Sequence, residues 1–482
     1  MKTQRKDISI EKSNGRFYTP HFIVQNILDM SGYYGEDILK KHVIDNSCGD
    51  GAFLTEIVER YCNSAIKAGI SQEEIAFDLC HYIHGIEIDE KECEKCIRNV
   101  SSIAEKYTIQ NVTWDIKCAD AMLTHEYDGK MDFVLGNPPY VRVHNVGDSF
   151  DRVKQYSFAQ SGMTDFYIVF YEIGLKMLNS SGVLGYITPS SFFNSLAGEQ
   201  MRIHFVEHNL IDKIIDLKHF QAFYTTTYTA IVVLKKRKKD RVTFYYQFDE
   251  KNQIPYYVDS LTPEDFFICD KFYFSSKSNL RLLKQIFNNS RHCDIAVKNG
   301  YATLCDDVFI GEFDFESDFI IPVIKASTGK QKQIIYPYGK DSKLIPESEI
   351  RKDCNLYKYL LERKELLTKR SNERESQLYW YAFGRSQAIH DTYKDKLTIN
   401  TLLRSVDDLK IVSAPAGVGV YSGLYIVSET VNIEAIKNVL FSEDFISYLA
   451  LLGKYKSGGY YTFSSKDVKA YLDYKLEYDG RL

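Results

Sequence analysis

The fold of this chain is decided by one short stretch, residues 132–140, which reads DFVLGNPPY. Its first half is mostly apolar and predicts a buried strand, and its second half stops that strand with two consecutive prolines. Proline cannot donate to a sheet ladder or continue a helix, and it forces the preceding residue into an extended conformation. We therefore expect Asn137 and Pro138 to be rigid and extended just beyond the carboxyl end of a strand. Open α/β sheets bind their ligands at that edge.

The groups at the end of this strand suit an sp² amine. Asn137 offers an amide oxygen, Pro138 offers a fixed carbonyl, and Tyr140 offers an aromatic face. The two oxygens can each accept one N–H of such an amine, and the ring can stack on the attached base. A purely structural turn is the alternative, because Asn-Pro is common in turns. The other motifs of the chain favour a binding site.

A strand predicted upstream, at residues 43–45, also ends in a polar residue. It passes into a loop that contains Ser47, Gly49 and Gly51 and then into a helix. Glycine permits positive φ and close approach of a ligand to the backbone, and a helix N-terminus carries positive potential. The loop does not have the GxGxxG dinucleotide fingerprint, so alone it indicates a ligand only weakly.

Two more upstream strands repeat this arrangement. Residues 83–89 form one, with Glu87 near its end, and residues 111–121 form the other, with Asp120 near its end. In a βαβ unit, an acid at the end of the second strand is placed to hold a ribose diol. Strands that alternate with helices and carry polar groups at one end predict a single parallel sheet with one ligand edge. The fold class is therefore α/β, and further strands are predicted at residues 182–189, 210–217 and 228–234.

Length and composition are those of an ordinary globular protein. The 482 residues allow about two to three domains, and 44% hydrophobic with 26% charged residues is a typical balance. No apolar run reaches the roughly 18 residues of a membrane-spanning helix, and no apolar segment follows residues 1–7. A cytoplasmic location is therefore expected. The net charge of −5 does not itself indicate nucleic-acid binding, but it is compatible with a basic cleft.

The cysteines predict neither a disulfide framework nor a metal site. Ten of them are scattered along a long chain, which is typical of reduced thiols. Cys93 and Cys96 have the spacing of metal ligands, but the sequence contains no second CxxC pair. We expect them to lie on a helix that turns both side chains inward.

The rhythm of alternating strands and helices ends near residue 240. The sequence predicts a first domain at residues 1–240 and a mixed α+β domain at residues 241–482, with a boundary between residues 240 and 280. Basic and aromatic residues interleave in the second part, at residues 336–340, 380–387 and 454–461. At the start of the chain, Thr19 and Pro20 are predicted as the N-cap and first residue of a helix.

The order of these motifs resembles a known family. Residues 17–20 (FYTP) come first, followed by the glycine loop, the two strand-end acids and residues 137–140 (NPPY). This order and spacing resemble the gamma-class, TaqI-like DNA adenine-N6 methyltransferases of restriction-modification systems over most of residues 14–236. Residues 280–482 resemble the C-terminal target-recognition domains of that family more loosely. The resemblance implies a Rossmann-like S-adenosylmethionine-dependent methyltransferase sheet, with S-adenosylmethionine as cofactor and double-stranded DNA as substrate.

The resemblance also implies a role for each motif residue. It assigns the cofactor pocket to Tyr18, Thr19, Pro20, Asp45, Ser47, Gly49, Gly51, Glu87, Ile88, Asp120, Ala121, Asn137 and Pro139. It assigns catalysis and the target-base pocket to Asn137, Pro138, Tyr140 and Phe223, with Phe220 close by. In that pocket Glu87 would take the ribose hydroxyls, and Asp120 would accept from the adenine amine. Asn46 stands where the family often has proline.

The sequence thus predicts a site-specific DNA methyltransferase that methylates the N6 amine of an adenine flipped out of the duplex. A cognate restriction endonuclease is a further partner that the resemblance suggests. Two alternatives stay open at this point. One is a protein-glutamine or RNA-base methyltransferase that uses the same Asn-Pro-Pro-Tyr site, since each methylates an sp² nitrogen. The other is a catalytically idle DNA-binding subunit that kept the fold.

Overall fold

The computed structural model of the protein describes residues 19–141, 152–223, 227–290, 292–370 and 379–478. Tyr18, which the sequence assigns to the cofactor pocket, lies outside these described residues. The chain divides into two compact units, with the division between Arg281 and Leu282.

One large sheet organises the first unit. Its strands are β1 (Val43–Asp45), β2 (Ile83–Glu87), β3 (Asp115–Cys118), β4 (Met131–Gly136), β5 (Leu178–Pro189), β6 (Ile211–Asp216), β7 (Thr229–Lys235), β8 (Thr243–Asp249) and β9 (Ile254–Leu261). Their order across the sheet is β3-β2-β1-β4-β5-β7-β6-β8-β9. Strands β1 to β5 run parallel, and β7 runs antiparallel to both of its neighbours. The parallel part has the strand order of a doubly wound α/β sheet, which confirms the predicted Rossmann-like fold.

Helices cover this sheet, as a parallel sheet requires. They are α1 (His21–Ser31), α2 (Ala52–Lys67), α3 (Gln72–Tyr82), α4 (Glu90–Lys106), α5 (Phe166–Met177), α6 (Glu199–Glu207) and α7 (Pro263–Phe266), and α8 (Lys277–Phe287) spans the division. A short antiparallel pair, β10 (Phe267–Ile268) and β11 (Lys271–Phe272), follows α7. Helix α4 turns Cys93 and Cys96 inward, as expected. Fully buried Ile27, Leu54 and Leu135 join α1, α2 and β4 in one core.

Helix α1 begins one residue later than the sequence indicates. Pro20 is its N-cap and His21 its first residue, whereas the sequence places Thr19 at the cap. The Pro20 carbonyl accepts from the backbone N–H of Ile23 at 2.9 Å. The Thr19 hydroxyl makes no capping bond and instead accepts from the side chain of Asn137.

The first unit continues well beyond residue 240. Strand β8 pairs in parallel with β6, and β9 pairs antiparallel with β8, so both extend the same sheet. Strands that share a hydrogen-bonded ladder belong to one folding unit, so the first unit extends at least to Leu261. The division between the two units lies just past the predicted interval of 240–280. The functions predicted for the two domains stay predictions.

The second unit is mixed α+β. Its strands are β12 (Ile295–Asn299), β13 (Ile310–Gly311), β14 (Ile320–Lys325), β15 (Lys330–Ile335), β16 (Lys396–Ile399), β17 (Leu402–Leu403), β18 (Ile411–Ala414), β19 (Gly419–Tyr421), β20 (Leu424–Ser428), β21 (Tyr455–Lys456) and β22 (Tyr460–Thr462). Its helices are α9 (Asp306–Phe309), α10 (Glu347–Ile350), α11 (Cys354–Glu362), α12 (Lys364–Lys369), α13 (Ile433–Leu440), α14 (Glu443–Leu451) and α15 (Ser465–Tyr478). The strands form three small sheets, in the orders β12-β20-β16-β18, β13-β15-β14-β19 and β17-β22-β21.

Aromatic residues from two of the predicted basic-aromatic stretches build a core of this second unit. Tyr336 and Tyr338 share a buried cluster with Trp380, Tyr381 and Phe383. Much of the aromatic content in these stretches therefore stabilises the unit. Within the described ranges, no helix is long and apolar enough to cross a membrane.

Candidate active site

Four parallel strands carry the predicted polar residues at one edge of the sheet. The registers pair Glu87 of β2 with Cys118 of β3, and Asp45 of β1 with Gly85 of β2. Strand β4 is parallel to β1 and leads directly to Asn137. The order β3-β2-β1-β4 accordingly places the ends that lead to Asp120, Glu87, Asp45 and Asn137 side by side.

The loop after β1 is fixed by the Glu87 carboxylate. Glu87 Oε2 accepts from the backbone N–H of Gly49 at 2.9 Å, and Oε1 accepts from that of Asp89 at 2.9 Å. The N–H of Cys48 bonds to the Ile86 carbonyl at 2.9 Å. Because each carboxylate oxygen has two lone pairs, Glu87 can hold this loop and still accept from a ligand.

Gly51 and Gly136 are required because a side chain at either position would be too close to a neighbouring residue. Gly51 has φ +93°, and a Cβ there would lie 2.8 Å from the Sγ of Cys96 on α4. A Cβ at Gly136, the last residue of β4, would lie 2.6 Å from Asp45 Oδ1. Glycine at these two positions lets α4 and the Asp45 carboxyl approach the backbone closely.

Asp45 is a buried carboxyl whose acidity is strongly reduced. Burial raises the pKa of Asp45 to about 8, the backbone N–H of Ser47 opposes that rise, and the nearby Glu87 carboxylate adds to it. The Ser47 N–H donates to Asp45 Oδ1 at 3.0 Å. A cationic ligand group beside Asp45 would favour its ionised form. The adjacent Asn46 is buried, and its Oδ1 accepts from the Tyr186 hydroxyl at 2.8 Å, so this residue ties the loop to the core.

Asn137 is the point where three of the motifs meet. Its side-chain Nδ2 donates to the Thr19 hydroxyl at 3.0 Å. Its backbone carbonyl accepts from the Ser47 hydroxyl at 3.4 Å. The two ends of an amide lie on opposite sides, so a contact that fixes Nδ2 also fixes the direction of Oδ1. Pro138 is buried, and Pro139 is partly exposed.

The Tyr140 ring is held at its hydroxyl end and by two neighbouring aromatic rings. The hydroxyl donates to the Ile187 carbonyl of β5 at 2.9 Å. The ring centroid lies 6.4 Å from that of Tyr167 and 5.9 Å from that of Phe223, with both pairs nearly perpendicular. The Tyr140 ring therefore has one defined orientation.

The two candidate phenylalanines of the sequence have different surroundings. Phe223 lies edge-to-face with Tyr140, at an interplanar angle of 82°. Phe220 instead packs against Phe22 at 6.1 Å and Phe248 at 5.0 Å. Only Phe223 of this pair has a described ring contact with Tyr140.

The loop after β3 contains a contact that no sequence motif indicates. Asp120 Oδ1 accepts from the backbone N–H of Met122 at 2.9 Å, and Oδ2 accepts from Arg152 Nη1 at 3.1 Å. Ala121 is buried, whereas Ile88 at the end of β2 is 67% exposed and thus open to a ligand. Arg152 follows no recognisable pattern, so sequence reasoning missed it.

The central part of this chain is similar to known restriction-modification methylases. Residues 61–223 match the family model described as Eco57I restriction-modification methylase. We call residues 61–223 the Eco57I-like region. This region includes β2, β3, β4, the Asn-Pro-Pro-Tyr stretch and Phe223, and the resemblance predicted from the motifs is confirmed.

Curated relatives of the Eco57I-like region extend the similarity along the chain. Type II methyltransferase M.BstVI of Geobacillus stearothermophilus is 26% identical over 425 residues, which is 77% of this chain and 74% of that protein. Type II restriction enzyme and methyltransferase RM.Eco57I of Escherichia coli is 23% identical, over 84% of this chain and 51% of that protein. The chain therefore spans about half the length of RM.Eco57I.

Solved structures show the same fold. The Type IIL restriction-modification enzyme MmeI, in complex with DNA, matches with a TM-score of 0.63 at 14% identity, over 92% of this chain and 63% of that chain. A nuclease-deletion mutant of the Type ISP restriction-modification enzyme LlaGI matches with a TM-score of 0.56 at 12% identity, over 98% of this chain and 48% of that chain. At such identities the likeness concerns the fold, and both of those chains are longer.

Proposed function

We propose that this chain is a site-specific DNA methyltransferase that transfers a methyl group from S-adenosylmethionine to the N6 amine of a flipped-out adenine. The observation that supports this most strongly is the arrangement at Asn137. Thr19 and Ser47 hold its side chain and carbonyl, and the ring of Tyr140, in the same Asn-Pro-Pro-Tyr stretch, packs against that of Phe223. A fixed amide oxygen next to aromatic rings fits a planar base that carries an exocyclic amine.

The residues along the sheet edge fit S-adenosylmethionine. From β3 to β4 they offer Asp120 for the adenine amine, Glu87 for the ribose hydroxyls and Asp45 for the methionine end. This order matches the order of the chemical groups along the cofactor. Exposed Ile88 offers an apolar surface to the adenine ring, and the Asp45 carboxyl gains a counter-charge from an ammonium group. The bound cofactor supplies an electrophilic methyl group on a sulfonium.

The amine of adenine is a poor nucleophile because its lone pair is delocalised into the ring. In our proposal, the Asn137 amide oxygen and the Pro138 carbonyl each accept one N–H of that amine. They thereby favour a pyramidal nitrogen and stabilise the charge that develops during attack. Thr19 fixes the direction of the amide, so no reorientation is needed at the moment of reaction. This chemistry does not require a strong base.

The Tyr140 and Phe223 rings account for binding of the extruded base. Flipping costs a few kcal/mol, and stacking on an aromatic side chain returns about 1–3 kcal/mol. The hydroxyl of Tyr140 is tied to Ile187, so its ring is already oriented before the base arrives. A base that stacks on Tyr140 would replace part of its present contact with Phe223.

We favour DNA over protein or RNA as the substrate because the curated relatives are named Type II methyltransferases. MmeI was solved in complex with DNA, which supports the same choice. An idle DNA-binding subunit would not need the ordered set Asp45, Glu87, Asp120 and Asn137. The name of RM.Eco57I combines a restriction enzyme and a methyltransferase, and we keep a cognate endonuclease as a predicted partner.

Sequencing that detects modified bases tests this proposal in cells. A host that expresses the chain should acquire N6-methyladenine at one short DNA sequence. A host that expresses the Asn137→Ala variant at equal level should not. Methylated cytosine in place of adenine, or unmodified DNA with the unaltered chain, would refute the proposal.

A further inference from the structure

We propose that Arg152 is a positioning residue for cofactor recognition, which holds the Asp120 carboxylate in the orientation that reads the adenine amine. This inference rests on the proposed function. Arg152 Nη1 lies 3.1 Å from Asp120 Oδ2, and the N–H of Met122 lies 2.9 Å from Oδ1. With one donor on each oxygen, the plane of the carboxylate is fixed.

The segment that carries Arg152 is anchored to the loop that carries Asp120. Four residues further on, the Tyr156 hydroxyl donates to the Met122 carbonyl at 3.1 Å. Val153 is buried beside it, at 3% exposure. The contacts of Arg152 and Tyr156 therefore both join this segment to the loop after β3, so the Arg152 contact is not isolated.

Helix α5 holds the residues that directly follow Tyr156. Glu172 Oε2 accepts from the Ser157 hydroxyl and from the Phe158 backbone N–H, each at 3.0 Å. Glu172 Oε1 is paired with Lys176 Nζ at 2.8 Å, and that ammonium also lies 4.9 Å from the centre of the Tyr156 ring. These contacts hold the residues that follow Arg152 and thereby keep Arg152 next to Asp120.

The ion pair between Arg152 and Asp120 contributes more to ligand binding than to the stability of the fold. The Arg152 and Asp120 side chains are 41% and 24% exposed, and pairs this accessible to water stabilise a folded protein little. A bound adenine would exclude water from Asp120, and a carboxylate without water needs a compensating charge. Arg152 supplies that charge, while the remaining lone pairs on Asp120 still accept from the amine.

Fixing the carboxylate also gives selectivity. Hypoxanthine has a carbonyl oxygen where adenine has an amine. This acceptor would face the Asp120 carboxylate, which is also an acceptor and cannot rotate away. Without Arg152, the Oδ2 atom loses its donor and the carboxylate can rotate towards solvent. The selectivity for adenine should then decline, because the acceptor is no longer held in place.

Calorimetry with two ligands tests this role without any methyl transfer. S-adenosylhomocysteine and its hypoxanthine analogue are titrated into the full chain, the Arg152→Ala variant and the Arg152→Met variant, which keeps an apolar stem. Arg241→Ala is the matched control, since Arg241 forms a similarly short but more exposed pair with Glu264 at 3.0 Å. Both Arg152 variants should bind S-adenosylhomocysteine about tenfold more weakly and the analogue within about twofold of the unaltered chain. The control should bind both ligands normally.

The outcomes separate this inference from the proposed function. Equal weakening of both ligands, or no weakening, in the Arg152 variants would overturn the positioning role while leaving the cofactor site intact. Failure of the unaltered chain to bind S-adenosylhomocysteine would overturn the proposed function, and the inference with it. A tenfold loss of selectivity with unchanged thermal unfolding supports both.

Discussion

The Asn137 amide donates from Nδ2 to the Thr19 hydroxyl at 3.0 Å, across 118 residues of chain. A segment before the first helix thereby sets which way the Asn137 oxygen points. The Ser47 hydroxyl holds the backbone carbonyl of the same residue. Orientation of one amide consequently depends on two segments that are remote in sequence.

Replacing Thr19 by valine should slow methyl transfer. Valine has the same shape but no hydroxyl, so the amide loses its fixed direction and about 1–2 kcal/mol of preorganisation, or roughly tenfold in rate. Single-turnover rates with saturating cofactor measure this effect. Thr19→Ser is the control, because it keeps the hydroxyl and should react at nearly the normal rate. An unaltered rate in Thr19→Val would show that the contact does not position the amide.

Substitution of Phe223 and of Phe220 should differ in its effect on base flipping. Phe223→Ala should weaken base flipping, because Phe223 touches Tyr140, and should also destabilise the fold, because Phe223 is buried. Phe220→Ala should lower the free energy of unfolding by on the order of 2 kcal/mol and leave base flipping intact. Fluorescence of 2-aminopurine at the target position reports flipping, and urea unfolding reports stability. If Phe220→Ala abolished the fluorescence change and Phe223→Ala left it intact, the assignment of the base pocket would be reversed.

Stability should depend on pH through Asp45. Burial raises the folded-state pKa of Asp45 from the ordinary value of 3.8 to about 8, so the folded state keeps a proton that the unfolded state loses between these values. The free energy of unfolding attributable to Asp45 is then greatest below pH 4 and falls as pH rises towards 8. The slope is at most about 1.4 kcal/mol per pH unit. Asp45→Asn cannot ionise and should lack this decline.

Urea unfolding of both proteins at pH 5 and pH 8 isolates that contribution. The unaltered chain should lose stability relative to Asp45→Asn between the two values. Parallel pH profiles would mean that Asp45 is ionised in the folded protein at pH 5.

Gly51→Ala should destabilise the protein more than Gly49→Ala. Both residues have positive φ, which costs a non-glycine residue about 1 kcal/mol, but only a Cβ at Gly51 would approach Cys96 Sγ. Urea unfolding should therefore show a larger loss for Gly51→Ala. Adding Cys96→Ala should recover part of the difference, since it removes the contacting sulfur. If the double variant recovered no stability, the whole loss in Gly51→Ala would come from backbone strain.

The sequence predicts the sheet edge well because its signals are local. Alternating strands and helices give the parallel order, and the two prolines after Asn137 end β4 where expected. Two other features of the site depend on contacts between residues that are distant in sequence, and such contacts leave no pattern in the sequence. The Thr19 to Asn137 bond joins distant loops, and the contact between Arg152 and Asp120 involves an arginine outside every motif.

The structure differs from the sequence-based prediction in two other places, where packing overrides a local signal. Thr19 has the side chain of a helix cap, yet its hydroxyl bonds to Asn137, so α1 starts at His21. The boundary near residue 240 marks the end of the strand-helix alternation, but β8 and β9 continue the sheet by edge pairing. The hydrophobic periodicity and the composition of a sequence do not indicate which edge of the sheet a later hairpin joins.

Transfer of label to duplex DNA tests the central claim most directly. Purified chain is incubated with duplex DNA and methyl-labelled S-adenosylmethionine, and the nucleosides released by digestion are identified by mass spectrometry. We expect label in N6-methyladenine alone, and a loss of at least about a hundredfold in Asn137→Ala with cofactor and DNA binding retained. Label on a polypeptide or RNA instead of adenine, or normal turnover by Asn137→Ala, would contradict the account.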